Sequence, residues 1–154
     1  MTSELNLLHE LLKQQGQQGV GNAVPEAESL EYDAYSLILN GSKAIYRKAK
    51  ITPTKSGQFV TIWKRNAHGI TTPFSIHDNV KFCVIAARIE DQLGFFIFPS
   101  EILNHQRIFS DENRDGKRGI RVYPPWDVAK NKQAQKTQQW QLKYFYLHLQ
   151  PTNT

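Results

Sequence analysis

Two apolar, strand-like runs near the middle of the chain constrain its fold more than any other feature. Lys81–Ile89 has the sequence KFCVIAARI, Gly94–Phe98 has the sequence GFFIF, and a short polar segment beginning EDQ separates them. Runs of this length that are rich in β-branched and aromatic residues are typical of buried strands. A connection of a few polar residues favours a hairpin between them. The sequence therefore predicts an antiparallel sheet at the centre of the fold.

Further elements are predicted on both sides of this hairpin. Strands are expected at residues 44–51, 58–64 and 120–124, and helices at 3–15, 30–38, 101–107 and 131–143. The last of the apolar segments, KYFYLHL, suits either a helix or a strand. The expected fold class is α+β: a single domain with a central, largely antiparallel sheet of about five strands, flanked by helices at both ends.

Length and composition support one domain. The chain has 154 residues, of which 40% are hydrophobic, enough for one core. Residues 1–28 are expected to form an N-terminal helix and a flexible, glycine- and glutamine-rich linker, and residues 29–150 the α+β domain. No apolar run approaches the roughly 18 residues that a membrane span needs. The N-terminus does not resemble an export signal and the single Cys83 lies in an apolar run, so we expect a cytoplasmic location.

Charge is distributed unevenly along the chain. The formal net charge is +5, yet the 44 residues between Asp33 and Asp78 contain no acid and seven Lys or Arg. Two later basic clusters follow, DGKRGIRVY and AKNKQAQK. Such segregation is what a surface that faces an anion requires.

The densest basic stretch, RKAKITPTKSGQFVTIWKR, runs from Arg47 to Arg65. Strand alternation is expected to turn Val60 and Ile62 into the core, while Trp63 and Arg65 share the opposite face with Phe59 and Thr61. A face that mixes aromatic rings with cations suits nucleic acid, because cations neutralise phosphates and rings stack on bases. The alternative is a solvated hairpin whose Lys and Arg side chains merely cover apolar surface.

Patterns that would indicate an enzyme or a metal site are weak. Asp111–Gly116 matches the start of a calcium loop, but its twelfth position is Val122, so a polar turn is favoured. The five histidines have no metal-ligand spacing. Glu28, Glu31 and Asp33 precede a strand that carries lysines where a metal-dependent nuclease needs carboxylates. No catalytic residue, metal or cofactor is predicted.

Three motifs in order resemble one family of small bacterial proteins. They are KAIYRKAKITPTKSGQFVTIWKR, GKRGIRVYPPWD and NKQAQKTQQWQLKYF, and they resemble the MepB family over roughly residues 30–147. Nucleic-acid binding is the activity that this resemblance implies.

The combined hypothesis is a non-catalytic nucleic-acid-binding protein, with DNA favoured over RNA and no membrane association. Phosphates and bases would contact a basic, aromatic-interleaved surface. Its predicted residues are Arg47, Lys50, Lys55, Gln58, Trp63, Lys64, Arg65, Lys117, Arg118, Arg121, Tyr123 and Trp126. The alternatives are an enzyme or sensor with a small-anion pocket lined by Lys50, Gln58, Arg65, Tyr123 and Asp127 (with Asp127 or His148 as its acid–base group), a degenerate nuclease-like domain, or a domain that binds an acidic protein.

Overall fold

The computed structural model describes residues 2–148, which form helices and strands in three layers. The strands are β1 (Val20–Pro25), β2 (Tyr35–Leu39), β3 (Ser42–Lys48), β4 (Lys50–Ile51), β5 (Gln58–Thr61), β6 (Trp63–Arg65), β7 (Thr71–Pro73), β8 (Phe82–Ile89), β9 (Gln92–Pro99), β10 (Gly119–Val122) and β11 (Phe145–His148). The helices are α1 (Ser3–Gln14), α2 (Ser100–His105) and α3 (Lys132–Gln141), and 3₁₀ turns lie at Leu30–Tyr32 and Leu142–Tyr144.

Six strands form one large sheet in the order β1-β2-β3-β8-β9-β11. All neighbours in it are antiparallel except β3 and β8, which are parallel. Parallel neighbours need a long crossover. Here the crossover spans residues 49–81, and it contains all of the basic stretch except Arg47 and Lys48.

The crossover folds over one face of the large sheet. Its β5 pairs with β4 and β10 to form a three-stranded small sheet in the order β10-β5-β4, while β6 and β7 form a separate two-stranded ribbon. The result is a single-domain α+β fold dominated by mostly antiparallel sheet, as the sequence predicted.

Strand alternation divides the core between the two faces of the large sheet. On β8, Cys83 and Ile85 face the layer that contains Val60 and Ile120 of the small sheet. Val84, between them, faces the layer that contains the leucines of α1. The small sheet therefore has its own inner face against the core and an outer face that is left for other contacts.

Most of the predicted elements are present. The hairpin of β8 and β9, the strand β10, helix α2 and helix α3 all lie where the sequence predicted them. The side chains of Val60 and Ile62 are buried, while Thr61 and Trp63 are half-buried, which confirms the predicted alternation. The segment KYFYLHL, for which the sequence allowed either a helix or a strand, forms one 3₁₀ turn followed by the strand β11.

Two predictions about the region before the basic stretch were wrong. The expected helix over residues 30–38 is a single 3₁₀ turn followed by β2, because Asn40 and Gly41 (φ of 49° and 85°) form a tight turn that pairs β2 with β3. Part of the expected linker is the strand β1, whose residues pair with β2 from Val20 to Pro25. The large sheet has six strands, in agreement with the expected central sheet of about five.

No helix among residues 2–148 is long and apolar enough to cross a membrane.

Candidate nucleic-acid interface

A row of three side chains crosses the outer face of the small sheet. Lys50 of β4 and Arg121 of β10 both lie opposite Phe59 of the central strand β5. The Arg121 guanidinium is 6.0 Å from the centre of the Phe59 ring. The outer face therefore alternates cation, ring and cation over its width.

One half of this outer face opens into a groove of about 550 Å³ between the small sheet and α3. Three cations and three aromatic residues contribute to its lining, namely Lys55, Lys117, Arg121, Phe59, Tyr123 and Trp140. Most of the other lining side chains are amides or hydroxyls, namely Gln106, Asn131, Gln133, Thr137 and Gln141. No Asp or Glu belongs to the lining.

The groove is held together by side-chain amides of α3. Gln141 is fully buried; its Oε1 accepts from the Tyr123 N–H (2.8 Å) and its Nε2 donates to the Arg121 carbonyl (2.9 Å). These are the two bonds that an additional strand would make along the outer edge of β10. Gln138, one turn earlier, donates to the carbonyls of Pro124 and Asp127 and fixes the turn that follows β10.

The loop of residues 52–57 brings Lys55 to the groove. Gly57 ends this loop with φ of +77°, and a β-carbon there would lie 2.8 Å from the Tyr123 ring. The carbonyl of Ser56 accepts from Arg121 Nη1 at 3.3 Å. Glycine is therefore required at position 57 both for its backbone conformation and for the close approach of the tyrosine.

The groove cations differ in their partners from four of the other five cations that were predicted to contact phosphate. Within residues 2–148, no carboxylate lies within 4.0 Å of the charged groups of Lys55, Lys117 or Arg121. By contrast, Lys64 forms an ion pair with Asp78. Cations that have no acidic partner are the ones that retain their full charge for an external anion.

Three predicted residues instead pair with one acidic segment, residues 26–33, which we call the acidic strap. Its carboxylates form ion pairs with the basic stretch, Glu26 with Arg47, Glu28 with Arg65 and Glu31 with Lys50. Two of these acids, Glu28 and Glu31, are residues that the sequence raised as metal ligands. Among residues 2–148, no group of three or more His, Cys, Asp or Glu is arranged to hold a metal ion.

Two of the predicted contacts are buried, and the prediction is corrected for them. Arg47 is 0% exposed, and besides Glu26 it donates to the Tyr46 carbonyl at 2.9 Å. Gln58 is 1% exposed and donates to the Arg88 carbonyl at 3.1 Å. Gln58 joins the small sheet to β8, and Arg47 joins β3 to Glu26, so neither side chain is placed to reach an external phosphate.

Three remaining predicted residues lie outside the groove lining. Trp63 lies under the Arg65 guanidinium, 5.4 Å from it, and Arg118 donates to the Thr71 carbonyl at 3.0 Å. Trp126 is half-buried and packs edge-on against Phe145. Lys55, Lys117, Arg121 and Tyr123 are thus the predicted residues that the fold brings together in the groove.

The residues proposed to line a small-anion pocket have different surroundings. Gln58 faces inward, while Lys50 and Arg65 lie against the strap. Burial raises the pKa of the Asp127 carboxyl. Burial likewise raises the pKa of the Cys83 thiol to about 12, so this side chain is not a nucleophile.

The residues 111–116 form a polar turn. Asp111 accepts from the side chain of Asn104 and from the backbone N–H groups of Asn113 and Arg114. The hydrogen bond from Asn104, followed by that from the Asn113 backbone, holds the pKa of Asp111 below its usual value.

Sequence reasoning missed two parts of the site. Gln133, Thr137 and Gln141 recur every four residues on α3, a spacing that places polar side chains on one helical face and could have identified the groove wall. The strap acids were considered only as metal ligands. Their position just before a long acid-free basic stretch was the available signal for ion pairing.

Comparisons with known proteins agree on one family. A family described as MepB-like matches residues 26–147. A solved structure described as "Crystal Structure of MepB" is similar, with 32% sequence identity, a TM-score of 0.81, and coverage of 96% of this chain and 97% of that chain. Among curated proteins, the sequence has no match.

Proposed function

The chain belongs to the MepB-like family, and on this premise we propose that it binds nucleic acid without catalysing a reaction on it. The observation that carries the proposal is the groove beside α3, where Lys55, Lys117 and Arg121 converge with no acidic side chain in the lining. DNA is the first ligand to test. This role requires a cytoplasmic location, where nucleic acid is found.

The groove cations supply the affinity in this proposal. A Lys or Arg that contacts a phosphate releases condensed counterions, so the logarithm of affinity falls linearly with the logarithm of salt concentration. The slope counts the contacts at about one for each phosphate. Three groove cations therefore predict a slope of at least about two to three.

The groove aromatics determine the preferred form of the ligand. Phe59, Tyr123 and Trp140 are half-buried, so each presents part of its ring to the groove. A base stacks on such a ring when it is not stacked within a duplex. Single-stranded oligonucleotide is therefore expected to bind more tightly than duplex of the same length.

The test is a salt titration of binding with a matched control variant. Fluorescence anisotropy of a labelled oligonucleotide of about 20 residues is recorded from about 50 to 200 mM salt, single-stranded and duplex, with and without magnesium. K55A/K117A is expected to bind about tenfold or more weakly and to lower the slope by about two. K13A/K43A removes the same charge from exposed lysines that do not line the groove, and it is expected to bind almost as wild type.

Three results would contradict the proposal. The first is no binding to either form at about 50 mM salt. The second is an equal loss of affinity in the two double variants, which would make net charge the cause. The third is thermal stabilisation by mononucleotides at concentrations where oligonucleotides have no effect, which would indicate a small-anion pocket. Cleavage of the oligonucleotide would contradict the non-catalytic part alone.

A further inference from the structure

The acidic strap lies on the half of the outer face that the groove leaves uncovered. Its ends are joined by a hydrogen bond from the Glu26 N–H to the Ala34 carbonyl at 2.8 Å. Its 3₁₀ turn carries Tyr32, whose ring packs edge-on against Phe59 at 6.3 Å. Because Phe59 also lines the groove, the strap and the groove meet at this one ring.

The contacts of the strap match those that a polyanion would make. The Glu31 carboxylate is 3.6 Å from Lys50 Nζ, and the Glu28 carboxylate is 3.9 Å from Arg65 Nε. Lys50 Nζ also lies 5.0 Å from the centre of the Tyr32 ring. Two carboxylates and the Tyr32 ring thus cover Lys50, Arg65 and one side of the Phe59 ring.

The strap is held firmly at its ends, which continue into β1 and β2, and weakly between them. At its start, Glu26 pairs with the fully buried Arg47 and accepts from the Ser36 hydroxyl at 2.8 Å. Further along, the Glu31 side chain is 79% exposed and Lys50 is 48% exposed. Exposed ion pairs of this kind contribute little and weaken further in salt, so they are readily displaced.

The backbone of the strap adds a second reason for displacement. Ser29 and Asp33 flank the 3₁₀ turn with φ of 58° and 48°, the left-handed region that non-glycine residues rarely adopt. Besides the Tyr32 ring and the two ion pairs, a hydrogen bond from Thr61 Oγ1 to Ser29 Oγ at 2.7 Å holds this part against β5. Releasing the turn relieves the backbone conformation while the anchor at Glu26 stays in place.

We propose that the acidic strap is a built-in competitor that masks a second track of phosphate contacts, Lys50 and Arg65, next to the groove. A polyanion that occupies the groove displaces Glu28 and Glu31 and extends across Phe59 onto these two cations. This inference rests on the proposed nucleic-acid binding and deepens it. It implies that short oligonucleotides fill only the groove, whereas longer ones also open the strap.

The first test compares two variants of equal charge. E28Q/E31Q removes the two strap charges that pair with Arg65 and Lys50, and E10Q/E90Q removes two charges from exposed acids outside the strap, so each raises the formal net charge of +5 by two. At about 50 mM salt, E28Q/E31Q is expected to bind an oligonucleotide of about 20 residues about three- to tenfold more tightly than E10Q/E90Q. Equal affinity of the two variants would overturn the strap proposal.

The second test locks the strap in place. The hydroxyl oxygens of Ser29 and Thr61 are within hydrogen-bonding distance, so S29C/T61C places two thiols where they can form a disulfide. The native Cys83 is buried and does not compete. The oxidised variant is expected to bind at least about threefold more weakly than the same protein after reduction. Equal binding by both forms would contradict displacement.

The two proposals fail in different ways. If wild type and every variant fail to bind single-stranded or duplex oligonucleotide at about 50 mM salt, both proposals are refuted. If K55A/K117A loses binding as expected while the strap variants behave as their controls, the groove stands and the strap proposal alone is refuted.

Discussion

At the residue scale, burial separates cations that the sequence presents as equivalent. Arg47 and Lys55 are eight positions apart in one basic stretch, yet Arg47 is fully buried against Glu26 and Lys55 lines the groove. A buried guanidinium without its carboxylate is far more costly than a surface lysine without a partner. Arg47 is therefore a structural residue, and its mutation is expected to change the free energy of unfolding more than the affinity for nucleic acid.

The Arg47–Glu26 pair predicts an asymmetry between its two single variants. E26Q leaves the charge of Arg47 in the core without a counterion and is expected to lower the free energy of unfolding by about 3 kcal/mol. R47M replaces the buried cation with an apolar side chain and leaves Glu26, which is 17% exposed, near water, so a loss of about 1 kcal/mol is expected. Urea denaturation at pH 7 measures both.

Oligonucleotide binding serves as the control for this pair. Folded R47M is expected to bind no more weakly than wild type, because Arg47 has no exposed surface and its partner Glu26 belongs to the competing strap. If R47M keeps its stability and loses affinity as strongly as K55A/K117A, then Arg47 contacts phosphate and its placement in the core is wrong.

At the element scale, α3 positions the groove through its amides. Gln141 occupies the outer edge of β10 where a further strand would bind, and Gln138 fixes the turn after it. Since the edge groups are thus paired, the geometry of Arg121 and Tyr123 depends on the helix as well as on the sheet.

The two hydrogen bonds of the Gln141 amide predict that this side chain stabilises the fold. Q141L removes both bonds and leaves the Arg121 carbonyl and the Tyr123 N–H unpaired beside an apolar side chain, so we expect a loss of about 2 kcal/mol in unfolding free energy. Q139L changes an exposed neighbour on the same helix and is expected to alter stability by less than about 0.5 kcal/mol. Urea denaturation and oligonucleotide affinity are measured together. Unchanged stability of Q141L would contradict the role assigned to the amide.

Helix α1 is joined to the large sheet by a buried carboxylate. Glu4 accepts from Lys48 Nζ at 3.1 Å, and Arg88 Nε lies 3.7 Å from the same oxygen. Burial works against ionisation, but the hydrogen bonds from the Glu4 backbone N–H and from Lys48 outweigh it and hold the pKa of Glu4 below its ordinary 4.5. This carboxylate therefore stabilises the docking of α1 at neutral pH.

The pH dependence follows from the direction of that shift. Because the pKa of Glu4 is lower in the folded state, its contribution is present above about 4.5 and is lost as the pH falls through the lower folded value. E4Q is expected to lose about 1–2 kcal/mol of unfolding free energy at pH 7 and to show a shallower decline below pH 4.5 than wild type. E10Q, an exposed acid on the same helix, is the control. Parallel pH profiles of E4Q and wild type would contradict this role.

At the scale of the whole molecule, the parts predicted from sequence are those determined by local pattern. The β8–β9 hairpin needs only two adjacent apolar runs, and α3 needs a polar, glycine-free segment that begins at the N-cap Asn131. By contrast, β1 has the sequence VGNAVP, in which Gly21, Asn22 and Pro25 disfavour a strand, and it is a strand only because β2 offers it a free edge. This segment becomes a strand because it pairs with β2, and a short stretch of sequence around β1 does not contain that information.

The candidate site likewise has one part that the sequence predicted and one part that depends on the tertiary structure. Alternation along the strand β5 predicted which of its residues face outward, and the basic composition predicted Lys55, Lys117 and Arg121 as surface cations. The sequence could indicate ion pairing with the preceding acids but not which acid pairs with Arg47 or Lys50, because the position of the acidic segment is set by the hairpin of β2 and β3. Charge along the chain shows which cations exist, and the tertiary structure decides which are already neutralised.

The parallel pairing of β3 with β8 has a consequence for the integrity of the backbone. The exposed loop that carries Lys55 lies inside the crossover between these strands, so a protease that cuts there divides the chain into two pieces. The N-terminal piece keeps α1 and the strands β1 to β4, while the C-terminal piece keeps β5 to β11. Because each piece supplies strands to both the large and the small sheet, neither has a complete core of its own. The nicked protein should therefore behave as a non-covalent complex of two complementary fragments, with Lys117 and Arg121 on one of them and the anchor of the acidic strap on the other.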